Sequence, residues 1–140
     1  MSSFKDHCPD AAKVKNGVKM PLFDKDGGVS KDWVMVRWSW DDKVRAALDV
    51  IKREGQKRII HITPSMDAKT RKAAEESNEN VEKELIAEGR VSQVASWSFD
   101  EKLTKANVQA FLQARPDVAE RIDTVSATNK LFFTDSGKSS

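Results

Sequence analysis

Three of the chain's four tryptophans, Trp33, Trp38 and Trp40, fall within eight residues, just after the acidic, glycine-bearing run Asp24 to Gly28. So much aromatic surface on one short ribbon has to be covered, because large apolar patches on small soluble proteins mark contacts. The cover is the chain's own core, a second copy, or a different partner. The ribbon itself reads as a β-hairpin. Val18 to Asp24 and Trp33 to Trp38 are short β-favouring runs, and Asp26-Gly27-Gly28 between them supplies residues able to take positive φ. Pro21 has no N–H for a ladder hydrogen bond, which predicts that the first strand is an edge.

Alternation along the second strand sends Val34, Val36 and Trp38 to one face and Trp33, Met35 and Arg37 to the other. Both faces are largely apolar, so one is expected to pack on helices and the other to be open to a partner. Trp38 is expected in the core and Trp33 at an interface. The partner or self-association surface expected from this ribbon comprises Trp33, Val34, Met35, Val36 and Trp40.

The 140 residues allow one domain of ordinary size. Residues 1–17 lack periodicity and carry Pro9, Asn16 and Gly17, which predicts an arm that is flexible or ordered only by a partner. Residues 18–133 form the single domain, and the polar tail 134–140 is expected to be disordered. After the hairpin, Val44, Leu48 and Ile51 fall at helical spacing, with Ser39 or Asp41 as cap and Gly55 as stop. Ile59, Ile60 and Ile62 fit either a third short strand or a buried connector. A long helix-compatible segment from Met66 gains its apolar face only at Val81, Leu85, Ile86, Val91, Val94 and Trp97. Thr104 is placed to cap a helix with Leu103 and Val108 as its hydrophobic staple; Pro116 opens a last helix carrying Val118, Ile122 and Val125, with Phe132 beyond it. The fold class expected is α+β, mainly α: an N-terminal β-hairpin followed by a bundle of about four helices.

Chemistry-bearing patterns are sparse. His7, Cys8 and Asp10 have no second ligand pair at metal-binding spacing, and His61 stands alone among isoleucines, where a partly buried structural role is expected. Gly27-Gly28 lacks a following Lys-Ser/Thr and fits neither phosphate-loop pattern. The basic residues between Lys43 and Arg58 are interleaved with Asp49 and Glu54, and 24 Lys+Arg oppose 22 Asp+Glu overall, which argues against nucleic acid as a partner. No apolar run reaches the roughly 20 residues of a membrane span, and the N-terminus lacks the apolar stretch of a secretory signal. One cysteine, Cys8, fits a reducing compartment. The reading is a non-enzymatic protein with no cofactor, no catalytic residue and no metal.

The order PLFDKDGGVSKDWVMVRW, SWDDKVRAALDVIKRE, then VASWSFDEKLTKANVQAFLQARPDVAERIDTVSATNKLFF resembles the tail assembly chaperones of long-tailed (siphovirus) bacteriophages, over roughly Lys19 to Phe133. Its most specific part is the C-terminal block: Trp97, Asp100-Glu101, Thr104, Pro116, and Asn129 before Phe132-Phe133. The resemblance implies an assembly factor, phage or prophage encoded, that works in the cytoplasm of the infected or lysogenic host and is absent from the mature virion. Such proteins coat the tape measure protein and promote polymerisation of the tail tube protein around it, the latter through a longer form made by ribosomal frameshifting. Gly137-Lys138 is a dipeptide that a slippery codon run would encode. A homo-oligomer fits the same role. The competing readings are a structural tail or head-tail component retained in the virion, and a small nucleic-acid-binding protein.

Overall fold

The run Asp24 to Gly28 reverses the chain by side-chain chemistry as much as by glycine. In the computed structural model, which describes residues 3–133, the Asp24 Oδ1 accepts from the N–H groups of Asp26 and Gly28, both at 3.0 Å, and Gly27 sits at φ +85°. An aspartate bonding its own downstream backbone is a turn device that needs no tertiary support. The strands it joins are β1 (Val18–Phe23) and β2 (Val29–Val36), antiparallel, with Val18 opposite Val36, Met20 opposite Val34 and Pro21 opposite Trp33.

A third strand, β3 (Val94–Trp97), pairs antiparallel with the other side of β2, Val34 facing Trp97 and Met35 facing Ser96. The sheet order is therefore β1-β2-β3, and the proline-bearing strand is an edge as its missing N–H requires. The third strand does not come from Ile59 to Ile62, which lie in a connector with Ile59 and Ile60 exposed. Val91, Val94 and Trp97 sit at a spacing of three that mimics helix. Pairing with β2 overrides that local preference from Val94 onward, as tertiary context often does.

The described residues form five α-helices: α1 (Ala11–Asn16), α2 (Asp42–Arg58), α3 (Ala68–Ser92), α4 (Lys105–Ala114) and α5 (Pro116–Ala127). Asp41, not Ser39, caps α2, accepting from the Lys43 N–H at 2.8 Å. Thr104 caps α4 and Pro116 opens α5, the helix starts expected from their residue types. Four helices follow the hairpin but do not make a single bundle. α4 and α5 lie against the sheet, while α2 and α3 form an antiparallel pair of their own.

The core is the inner sheet face closed by α4 and α5: Met20, Leu22, Val34, Val36 and Val94 against Val108, Leu112, Val118, Ala119 and Ile122. Arg37 ties this core to the end of α3. Its Nη1 donates to the carbonyls of Ser92 at 2.8 Å and Val94 at 3.0 Å, so a cation meets the negative C-terminal end of the helix and the first turn out of it.

The segment expected as a flexible arm is ordered from Ser3. A 3-10 turn at Phe4–His7 leads to α1, whose cap Asp10 accepts from the Ala12 and Lys13 N–H groups. Asp10 N–H donates to Phe132 O at 2.8 Å and Lys13 Nζ to Phe133 O at 3.3 Å, which joins the two ends of the described chain. Gly17 links α1 to β1 at φ +81°, and a Cβ there would lie 2.6 Å from the Val36 carbonyl oxygen. The φ and the close backbone approach each demand glycine. Gly17→Ala is expected to cost about 3 kcal/mol in urea unfolding, whereas Gly27→Ala, which meets open space, costs roughly 1–2 kcal/mol for its φ alone. Equal losses for the two variants would contradict this placement of Gly17.

Candidate interaction surfaces

The residues expected on one ribbon surface divide by strand alternation. Val34 is 1% exposed and Val36 0%, so both belong to the core and not to a contact surface of the single chain, which corrects that expectation. Trp33 and Met35 lie on the outer sheet face and are half-buried. The Lys19 ammonium sits 5.4 Å from the centre of the Trp33 ring, the Trp33 N–H is held by Ser98 Oγ at 2.9 Å, and Met35 stands opposite Lys19. Trp40, in the turn before α2, is 59% exposed, and the Arg45 guanidinium lies 3.6 Å from its ring centre. That stacking fixes the indole with one broad side in solvent.

Trp38 behaves differently from its neighbours. It is half-buried, stacks on the fully buried Phe132 at 6.1 Å, meets Phe133 edge-on at 5.8 Å, and donates its Nε1–H to Asn129 Oδ1 at 3.0 Å. Trp97 forms a second aromatic cluster with Phe99 and Phe111, its indole N–H given to Glu101 O. Both indoles complete packing within the chain while leaving part of each ring at the surface.

The β1 edge is occupied. Arg121 Nη2 donates to Pro21 O at 3.0 Å and its guanidinium covers the Phe23 ring at 4.5 Å, while Arg115 Nη2 donates to Phe23 O at 3.3 Å. With no N–H at Pro21 and two carbonyls taken by α5 side chains, this edge offers little to another strand. Asp117 holds Arg115 in a two-pronged pair, Nε to Oδ1 at 2.9 Å and Nη2 to Oδ2 at 2.8 Å. The hydrogen bonds from Arg115 push the Asp117 carboxyl down to about 2.

A further surface was not anticipated from the sequence. α2 and α3 approach closely at two glycines: a Cβ on Gly55 would lie 2.8 Å from Leu85 Cδ1, and one on Gly89 would meet Leu48 and Ile51 at 3.8–3.9 Å. Gly55 thus serves as a close-packing point inside α2 rather than its stop, and the helix runs on to Arg58. Along one side of the pair runs an open groove of about 540 Å³, floored by Leu48, Ile51, Leu85 and Ile86 and edged by Glu82 and Asp123. Ile86 is 50% exposed there. The signal was present in the sequence, since Leu85 and Ile86 are about 100° apart on a helix and cannot both face α2.

The remaining candidates carry no assembled chemistry. Among the described residues no group of three or more His, Cys, Asp or Glu is placed to hold a metal ion. His61 is exposed in the connector and not part-buried as its isoleucine neighbours suggested. Basic residues of α2 are partly engaged, Arg58 with Glu84 and Lys57 with Glu54, and no described helix is long and apolar enough to cross a membrane. Gly137 and Lys138 lie outside the described residues. Compared with known proteins, the chain matches no family model, no curated protein and no solved structure.

Because the folded-state Asp117 value lies below the ordinary carboxylate value of about 3.9, its pair with Arg115 stabilises the fold above that pH and is lost as pH falls through about 2. An NMR titration of the Asp117 side chain is expected to give a midpoint near 2, returning towards 3.9 in Arg115→Gln. An unshifted midpoint in the unmodified chain would contradict the pairing.

Proposed function

We propose that this chain is a phage tail assembly chaperone, a non-catalytic protein that binds the tape measure protein and promotes tail tube assembly in the cytoplasm of the bacterial host. Two lines support the reading. The first is the resemblance in residue order from the hairpin to Phe133, strongest in the block from Trp97 through Pro116 to Phe132-Phe133. The second, and the observation that carries it, is the apolar surface held open around the hairpin: Trp40 in solvent under Arg45, with Trp33 and Met35 on the outer sheet face. A pre-fixed indole covers apolar helix on a partner at low entropic cost, and indoles of this kind supply a large share of contact energy.

A tape measure protein is long and prone to aggregate, so a chaperone serves it best by many weak, reversible contacts whose avidity comes from number. In this role the tail tube protein is reached through a longer, frameshifted form of the chain, and no cofactor is required.

Co-expression with the tape measure protein of the same genome is expected to raise that protein's soluble fraction severalfold. Trp33→Ser and Trp40→Ser together should remove most of the gain while leaving the circular dichroism of the purified chain unchanged. An undiminished gain with the double variant would move the site elsewhere. Absence of any gain, or abundant chain in purified virions by mass spectrometry, would contradict the chaperone reading.

A further inference from the structure

We propose that Asn16-Gly17 is a site of spontaneous deamidation, gated by the opening of α1, and that its isoaspartyl product releases the N-terminal segment from Phe132 and Phe133. It is the one Asn-Gly step in the chain. In such a step the main-chain nitrogen of glycine attacks the Cγ of the preceding asparagine, since no side chain on the glycine obstructs the approach. A C–N bond forms, and the side-chain amide nitrogen leaves as ammonia, taking the proton that the glycine N–H gives up. Water then opens the cyclic imide at either carbonyl. The products are aspartate and isoaspartate, and the latter carries the main chain through the former side chain, one methylene longer.

The fold supplies the reactive pair and then restrains it. Glycine is required at 17, because φ is +81° and a Cβ would lie 2.6 Å from the Val36 carbonyl oxygen. The residue that makes Asn16 labile is therefore fixed by the joint between α1 and β1. Asn16 is exposed, and its side chain makes no hydrogen bond among the described residues. The restraint comes from the helix. Asn16 is the last residue of α1, and the Gly17 N–H donates to Lys13 O at 2.9 Å. Attack on Cγ needs that hydrogen bond and the last helical turn undone.

α1 opens at low cost. It has six residues, none of them buried, and a helix this short is marginal on its own. Beyond the Asp10 cap, the segment is held by Asp10 N–H to Phe132 O at 2.8 Å, Lys13 Nζ to Phe133 O at 3.3 Å and the bridge between Pro9 and Phe133. Local opening at this end precedes global unfolding and sets the rate of the reaction. The isoaspartyl chain does not fit back. An added methylene beside Gly17 finds no slack where the backbone already comes too close to Val36 for a Cβ, so the register that brings Asp10 and Lys13 to their carbonyls is lost. Phe133, which Trp38 meets edge-on, then loses its tether. Asp26-Gly27 is open to the same cyclisation, but an acid loses water there and the final product gains no mass.

The test incubates the full chain in mildly alkaline buffer beside a synthetic peptide of residues 11–22, with conversion at Asn16 followed by peptide mapping and mass spectrometry. Conversion in the folded chain is expected to be slower than in the peptide by about tenfold or more. Asp10→Ala, which removes the cap of α1, should speed it severalfold. The isoaspartyl form, separated by its extra negative charge, should exchange the Asp10 and Val14 amides about tenfold faster with β2 unchanged. Asn16→Gln should keep both its mass and its protection. Conversion at the peptide's rate, or a rate indifferent to Asp10→Ala, would overturn the gating. An isoaspartyl form with protection intact would overturn the release, and no conversion in either chain once the peptide has fully converted would overturn the site. None of these readings involves a tape measure protein, so failure here is distinct from failure of the chaperone assignment.

Discussion

A three-stranded sheet has one face that must be buried, and the side chains of β2 decide which. Val34 and Val36 point the same way, Met20 and Leu22 on β1 join them, and together they form an apolar plane that only helices can close. α4 and α5 supply that closure through Val108, Leu112, Val118 and Ile122. Everything else is arranged around this layer. β3 extends it beside β2, Arg37 fastens α3 to it, and Phe132 with Trp38 seals the end where the N-terminal and C-terminal turns meet.

Closing one face leaves the rest of the molecule less committed. The outer sheet face carries Trp33 and Met35, the α2–α3 pair carries Ile86, and Trp40 stands between strand and helix with its ring held by Arg45. The β1 edge, by contrast, is covered by Arg115 and Arg121. The chain thus guards its β1 edge against strand addition while leaving side-chain surfaces open. That combination suits a protein that contacts others reversibly, because main-chain pairing at an edge leads readily to aggregation.

Much of this was legible from residue types whose conformational demands are local. Asp24 to Gly28 made the hairpin, Pro21 marked the edge, Thr104 and Pro116 set the starts of α4 and α5, and Val118 and Ile122, four apart, fell on the buried face of α5. What escaped depended on partners distant in sequence. Val94 to Trp97 kept a helical rhythm and became a strand only because β2 lies beside it. The first seventeen residues carry no periodic signal, yet Asp10 and Lys13 find the carbonyls of Phe132 and Phe133. Gly55 looked like a terminator and proved to be the place where Leu85 needs room. The outer-surface assignment of Val34 and Val36 failed for a simpler reason: the whole ribbon was apolar, and only the helices showed which side they would cover.

The sheet with α4 and α5 closes its core within one chain, whereas the α2–α3 pair leaves apolar side chains such as Ile86 open to solvent. Native-state hydrogen exchange tests it most directly, since amide protection reports the free energy of opening segment by segment. In the isolated chain the amides of β2 and α5 should exchange only through global unfolding, and those of α2 should open far more readily. Protection of α2 equal to that of β2 would contradict the account.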